Sequence, residues 1–441
     1  MKAKEIIFAI LIILAGILFY SVQTGKLDFD FFWDGDFFHW DHEEFVYEES
    51  QEIPAPVPHE LEVINAHGHV EIQGTESEKV TVSFTKRVHH RNEEDAKNIS
   101  DRLQMVINQD EAKLVISTNR DNFRRKPFET DFKISVPAGI KVLVKNSYGM
   151  VYISRTGPTD IKNPYGEVFA MDISGSLTVQ NSYEDVEVHN VESRCQIESR
   201  YSTVKVFSVK GETLIQHKYG EVALEDTAQN VTVEGNYSKV TGKNLSGRLE
   251  VESSYKNIFL SNVGPTKLKC NHCDIEINGA KERLEIKNDY GRADVNNIQG
   301  DCHIEGKDLK VFGHSIIGNE ISIFSSYENI ELNQFSGQTT ISLSHGNATL
   351  EPLPLTDPVE VKAVYSTIRL YWPAGEKYPV EARSKGGNIR WELEKESLVK
   401  ETNGTTTLKA YAEEKDKPSI ILSTTYGDIL IERISKAEKM I

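Results

Sequence analysis

Between Tyr148 and His345 the apolar residues of this chain return at fixed distances from one aromatic position. Tyr148, Tyr165, Tyr183, Tyr201, Tyr219, Tyr237 and Tyr255 follow one another at 17 or 18 residues, and the phase continues through His272, Tyr290, Asp308, Tyr327 and His345. Ten tyrosines lie between residues 146 and 346, and only Tyr152 falls outside these slots, so the spacing is a property of the chain and not of chance. Three and five places after a slot come apolar pairs such as Val151 and Ile153, Val186 and Val188, or Ile330 and Leu332. Six and four places before it come Leu177 and Val179, Val231 and Val233, or Leu284 and Ile286. Another apolar residue often sits eight places after, as at Ile173, Val209 and Phe335, with glycine two places later at Gly175, Gly211 and Gly337. Period-two alternation of this kind predicts two short strands per unit, with turns at the aromatic slot and near the glycine.

One such unit cannot close a hydrophobic core alone, so equivalent strands must stack rung upon rung. The expected fold is therefore all-β: a right-handed parallel β-solenoid of about 18-residue coils, in which twelve slots make a rod roughly 55 to 60 Å long. His67, with Leu61, Val63, Val70 and Ile72, fits the same template upstream, and Tyr365 and Tyr426 resume it less regularly downstream. One helical insertion is expected, because Glu93 to Asn108 carries Ala96, Ile99, Leu103, Val106 and Ile107 at helical spacing. Placed among the early coils, this helix is expected to help cover the open end of the stack. Strands are expected at Lys113–Ser117 and Phe132–Val136.

The N-terminus has a different pattern. Lys2 and Lys4 precede an uncharged apolar run over residues 6–22, which would extend roughly 25 Å as a helix. No small-residue cleavage site or lipid-accepting cysteine follows it, which favours a retained transmembrane anchor over a cleaved signal peptide. The positive-inside rule then leaves the bulk of a single-pass membrane protein outside the cytoplasm, periplasmic or at the cell surface. Residues 27–58 read as a stalk in which Phe29, Phe31, Phe32, Trp33, Phe37, Phe38, Trp40 and Phe45 mix with carboxylates before a proline-containing spacer. The expected divisions are 1–26 anchor, 27–58 stalk, 59–145 N-terminal cap with the helical insertion, 146–352 regular repeats and 353–441 irregular C-terminal coils and cap.

Short motifs carry a family resemblance. The unit Asn181-Ser182-Tyr183-Glu184-Asp185-Val186-Glu187-Val188, the opening Asn65-Ala66-His67-Gly68-His69-Val70-Glu71-Ile72 and the run Ile134-Ser135-Val136-Pro137 resemble the bacterial putative-adhesin, or toast-rack, family of β-strand repeats over about residues 59–434. That resemblance implies an extracytoplasmic β-solenoid, found in adhesin-like surface proteins and in membrane proteins linked to envelope stress. It supplies no catalytic residues to carry over.

Composition narrows the function classes. Hydrophobic residues make up 39% of the chain and charged residues 27%, as in a folded protein. Fifty Lys and Arg against 67 Asp and Glu give a formal charge of -17, the wrong sign for a nucleic-acid partner. Four cysteines in 441 residues cannot form a disulfide framework.

The tyrosine slots are the first candidate chemistry. Tyr148, Tyr165, Tyr183, Tyr201, Tyr219, Tyr237, Tyr255, Tyr290 and Tyr327, stacked up one corner, would make an aromatic ladder that either covers a turn or binds sugar rings by face contacts and hydroxyl hydrogen bonds. Asn146, Asn163, Asn181 and Asn288 suit the same turns. Cys270-Asn271-His272-Cys273 has the spacing of half a zinc site, a redox pair or a local disulfide, whereas Cys195 and Cys302 fall at inward offsets. His39, His42, His59, His67, His69, His89 and His90 crowd the N-terminal quarter without ligand spacing. Carboxylates such as Asp185 with Glu187, Glu250 with Glu252 and Asp274 with Glu276 alternate with buried offsets, as a solvated face does. No nucleophile elbow, phosphate loop, paired zinc motif or cofactor motif is present. The sequence thus favours a non-enzymatic, adhesin-like or scaffolding protein of the cell envelope, meeting an envelope protein or a polysaccharide. An envelope-stress sensor working through a membrane partner is the alternative, and a carbohydrate-active enzyme the third reading.

Overall fold

The computed structural model describes residues 43–373, 377–393 and 398–433. The expected anchor at 6–22 and the aromatic half of the expected stalk lie outside the described residues. Among those described, no helix is long and apolar enough to cross a membrane.

A right-handed β-solenoid with coils of about 18 residues runs through the described chain. Its parallel ladders hold a constant register, and one inward column shows why. Val168 pairs with Val186, Val186 with Val204, Val204 with Val222, Val222 with Val240 and Val240 with Ile258. These residues, like the partner column through Val179, Ile197, Ile215 and Val233, are 2% exposed or less. β-Branched side chains pack well on a pleated surface, and each buried one contributes about 1.5–3 kcal/mol, so a slip of one residue would turn every rung inside out.

Outward positions stabilise the stack through charge. Lys239 pairs with Glu221 at 3.0 Å, Lys210 with Glu192 at 2.7 Å and Lys243 with Glu225, each linking residues one coil apart. These exposed pairs contribute little individually but match acid to base between rungs, which favours the native register.

At the second corner, seven places after the slot, the backbone turns left-handed at Asp172, Asn190, Asp226, Asn244 and Asn262. Asn and Asp tolerate that conformation better than other side chains with a Cβ. Here they also bridge rungs: Asn190 donates to Asp172 at 2.8 Å, Asn244 to Asp226 at 2.9 Å and Asn262 to Asn244 at 2.8 Å.

Both ends of the stack are permuted. The coil containing strands Glu60–Ile64 and Val70–Thr75 lies between a later coil, Lys113–Thr118 with Phe128–Pro137, and the coil that begins at Lys141. At the other end Ile420–Thr425 and Ile429–Arg433 lie between Val359–Val364 with Ile368–Trp372 on one side and Val380–Lys385 with Ile389–Trp391 on the other. Antiparallel strands then cover the outermost rungs. Val80–His90 lies on Phe128–Pro137, Met105–Gln109 on Lys113–Thr118 and Thr405–Ala410 on Val380–Lys385.

Two expectations need correction. The stalk does not extend through Glu43–Ile53, which is a strand paired antiparallel to Val80–His90; Phe45 and Tyr47 on it pack beside Val88 and Phe128. The helix covers Glu93–Arg102 and stops there, although the apolar spacing continues. Asn119 bridges the stop, its side chain donating to Arg102 O and accepting from Gln104 N, both at 2.9 Å. Val106 and Ile107 then belong to a strand, so antiparallel strands cover the end of the stack while the helix packs on the outer sheet. There the Lys86 ammonium, 1% exposed, donates to Ser100 O at 2.9 Å and pairs with Glu49.

Candidate functional site: an exposed aromatic ladder

The slot side chains leave the coil at a corner whose backbone the sequence builds in two ways. In Asn146-Ser147-Tyr148-Gly149 the left-handed residue is the glycine after the tyrosine (φ 101°), where a Cβ would lie 2.4 Å from Gly68 O. In other coils the aromatic residue itself takes the left-handed conformation, as at Tyr201, Tyr219, Tyr237, Tyr255 and His272. For a residue with a Cβ this costs roughly 1–2 kcal/mol. Ring stacking at about 0.5–1.5 kcal/mol per pair, with two neighbours per interior ring, is of the size needed to offset it.

Beneath many of the slots, two places earlier, lies a buried polar residue. Asn163 donates to Gly149 O at 2.9 Å and Glu167 O at 3.1 Å, and Asn181 to Asn163 O and Gly166 O, both at 2.8 Å. Asn288 donates to Cys273 O at 2.8 Å. His217 takes the same place in its coil, where the Ser238 hydroxyl lies 2.7 Å from Nδ1 and Ser202 O lies 3.1 Å from Nε2. This assigns the neutral tautomer with the proton on Nε2, and burial holds the His217 pKa below the usual histidine value. These side chains thus add donors to carbonyls at the turn, among them Glu167 O, which also accepts from Val151 N at 2.9 Å.

On this base the rings stack. His67, Tyr148, Tyr165, Tyr183, Tyr201, Tyr219, Tyr237, Tyr255, His272 and Tyr290 form one continuous column, with centroids 4.3–5.8 Å apart and planes within 3–19° of parallel. Asp308 then occupies a slot without a ring. Beyond it Tyr327, His345, Tyr365 and Tyr426 stack at 5.1–5.2 Å. The nine tyrosines singled out from the sequence are all in the ladder, each between 37% and 59% exposed.

The expected face contacts with sugar rings do not fit the continuous column. Each interior ring spends both faces on its neighbours, leaving ring edges and phenolic hydroxyls toward solvent. What the column offers is a row of hydroxyl donors and acceptors about one rung apart, backed by apolar edges.

Sequence reasoning placed His272, His345, Tyr365 and Tyr426 in or near the phase but left them out of the candidate site. The phase alone would have included the two histidines. Tyr426 stacks on Tyr365 only because of the permuted end, which no spacing reveals. A second outward aromatic column was missed: Tyr152 stacks on Phe169 at 5.2 Å and His189 on Phe207 at 4.7 Å.

The other candidates are accounted for by contacts. Cys270 and Cys273 form a disulfide around His272. Cys195 and Cys302 are buried, and burial pushes each thiol up to about 12. Glu187 lies 2.8 Å from His189, and Asp185 accepts from Thr203 N at 2.7 Å. Among the described residues no cluster of three or more His, Cys, Asp or Glu is placed to hold a metal ion.

No family model and no curated protein matches this chain. The resemblance to the toast-rack family therefore rests on its motifs. One solved structure similar to it, described as a "putative cell adhesion protein" from Clostridium sporogenes, aligns over 88% of this chain and 100% of its own at 11% identity. Its TM-score of 0.19 is too low for that likeness to carry any argument.

Proposed function

We propose that this protein is a non-enzymatic, adhesin-like interaction rod of the cell envelope, held to the membrane through residues 6–22, with the aromatic ladder as its binding face. One observation carries the reading: ten stacked, partly exposed rings form one unbroken strip, with a ring on every rung and neighbours 4.3–5.8 Å apart. Stacking explains why the rings align but not why their hydroxyl ends are kept in water. A turn that only needed the left-handed conformation of Tyr201 or Tyr219 would be served by glycine, which adopts it without strain.

A repeating strip suits a repeating partner. An extended polysaccharide of the envelope can place one hydroxyl-bearing unit after another along the row, each contact weak and their sum selective. The carboxylates engaged with Thr203, His189 and the lysines of adjoining coils favour this binding role over polysaccharide cleavage.

The test uses the full-length protein in nanodiscs. Replacing Tyr201, Tyr219 and Tyr237 together by Phe removes three hydroxyls and keeps the stack. Retention of purified envelope polysaccharide should fall at least about tenfold, the scale of three modest hydrogen bonds, with the thermal midpoint little changed. Unaltered retention by the triple variant, or no retention by the wild type, would overturn the proposal.

A further inference from the structure

The interruption at Asp308 is where the ladder changes character. Tyr290 stacks on His272 at 4.4 Å with one face, and Tyr327 stacks on His345 at 5.1 Å with one face. Their other faces are turned toward each other across the rung of Asp308. Backbone bonds fix that placement: Asp308 N donates to Asp289 O at 2.8 Å, one rung from Tyr290, and Tyr327 N donates to Lys307 O at 3.0 Å, one rung further on. Tyr327, at 59% exposed, is the barest tyrosine of the ladder.

Size selects the occupant. Two rungs separate the rings by about 10 Å, so a group midway lies about 5 Å from each ring plane. Van der Waals contact needs about 3.5–4.0 Å, so a flat group would touch one ring and leave a void at the other. A tetrahedral ammonium carrying methyl groups fills the space and keeps its nitrogen within the roughly 6 Å over which a ring face attracts a cation. Charge agrees. The carboxylates of Asp308 and Glu328 make no hydrogen bond or ion pair among the described residues. Among the nearby cations, Arg292 bonds Asp294 at 2.7 Å and Lys310 lies over Phe312, while Lys307 bonds Asp289 at 3.2 Å and is attracted more weakly by Asp308, a long-range attraction that a cation between the rings has to exceed.

We infer that Tyr290, Asp308 and Tyr327 form a binding site for a quaternary ammonium group of the choline type, sandwiched between two ring faces over one carboxylate. This site stands apart from whatever the ten-ring column binds, since it uses ring faces where the column offers edges.

Calorimetric titration of the full-length protein in nanodiscs of uncharged, choline-free lipid tests it, with choline chloride as probe and 3,3-dimethylbutanol as its uncharged isostere. The wild type should bind choline saturably at one site per chain and the isostere at least about tenfold more weakly. Asp308→Asn should weaken choline binding by a similar factor. Asp308→Tyr should abolish it by completing the ladder, and that variant should melt no lower than the wild type, which separates site loss from unfolding. The Tyr201/Tyr219/Tyr237→Phe variant should bind choline as the wild type does. No saturable binding by the wild type, or equal binding by Asp308→Tyr, would overturn the assignment.

Discussion

Tyr365 and Tyr426 stack face to face at 5.1 Å, although the chain between them departs to build the outer rung Val380–Lys385 and its antiparallel cover before returning. The last coil is therefore an internal layer. The same happens in reverse at the other end, where His67 stacks on Tyr148 and the intervening residues supply the rung outside it. A solenoid that ended on its own last coil would expose a row of unpaired backbone groups, whereas here each terminal coil is held from both sides.

This arrangement makes the C-terminal coil structurally central. Leu422 and Ile431 are fully buried between neighbouring rungs, and Leu422→Ala should cost about 2–5 kcal/mol. Hydrogen exchange should show the protection of Val380–Lys385 falling together with that of Val359–Val364. Loss confined to the final strand would contradict the inserted position.

The buried asparagines beneath the ladder should matter more than the tyrosines above them. Asn163→Ala removes one donor from each of the carbonyls of Gly149 and Glu167, which keep Asn146 Nδ2 at 3.1 Å and Val151 N at 2.9 Å, and should lower stability by about 1 kcal/mol in urea denaturation. Tyr165→Phe, which keeps the stack, should change it by less than about 0.5 kcal/mol.

The left-handed corner residues give a backbone test. Asn244 has φ 54° and donates to Asp226, so Asn244→Val should destabilise by about 2 kcal/mol or more. Asn244→Gly, which loses the bond but accepts the conformation, should cost clearly less than Asn244→Val in the same denaturation assay.

Stability should also fall with acidity near neutral pH. Burial lowers the pKa of His217, and burial together with Arg120 lowers that of His67, so the unfolded chain takes up these protons first. Their contribution is complete above the unfolded value of about 6.5 and is lost as pH falls through the lower folded values. The denaturation midpoint should therefore drop from pH 7.5 to pH 5.5. His217→Gln should flatten part of that slope, and an unchanged slope would remove His217 from the account.

Thiol chemistry should divide the four cysteines in pairs. With Cys270 and Cys273 joined and the other two thiols buried, the native protein should show no rapid reaction with a thiol reagent. Denaturation without reductant should release the two thiols of Cys195 and Cys302, and denaturation with reductant all four.

By itself the sequence determined the coil, its length, the inward columns and the ladder, because these are local consequences of an alternating pattern repeated in phase. Every rung makes the same choice, so Val186, Val204 and Val222 could be placed without coordinates. It could not determine the order of the end coils: Tyr148 is compatible with a neighbour from either side, and only the packed ends decide that His67 lies against it. Nor could it say which part of a tyrosine remains free. Stacking hides the ring faces everywhere except beside a slot that carries no ring, and that difference between edge and face exists only once the rungs are assembled.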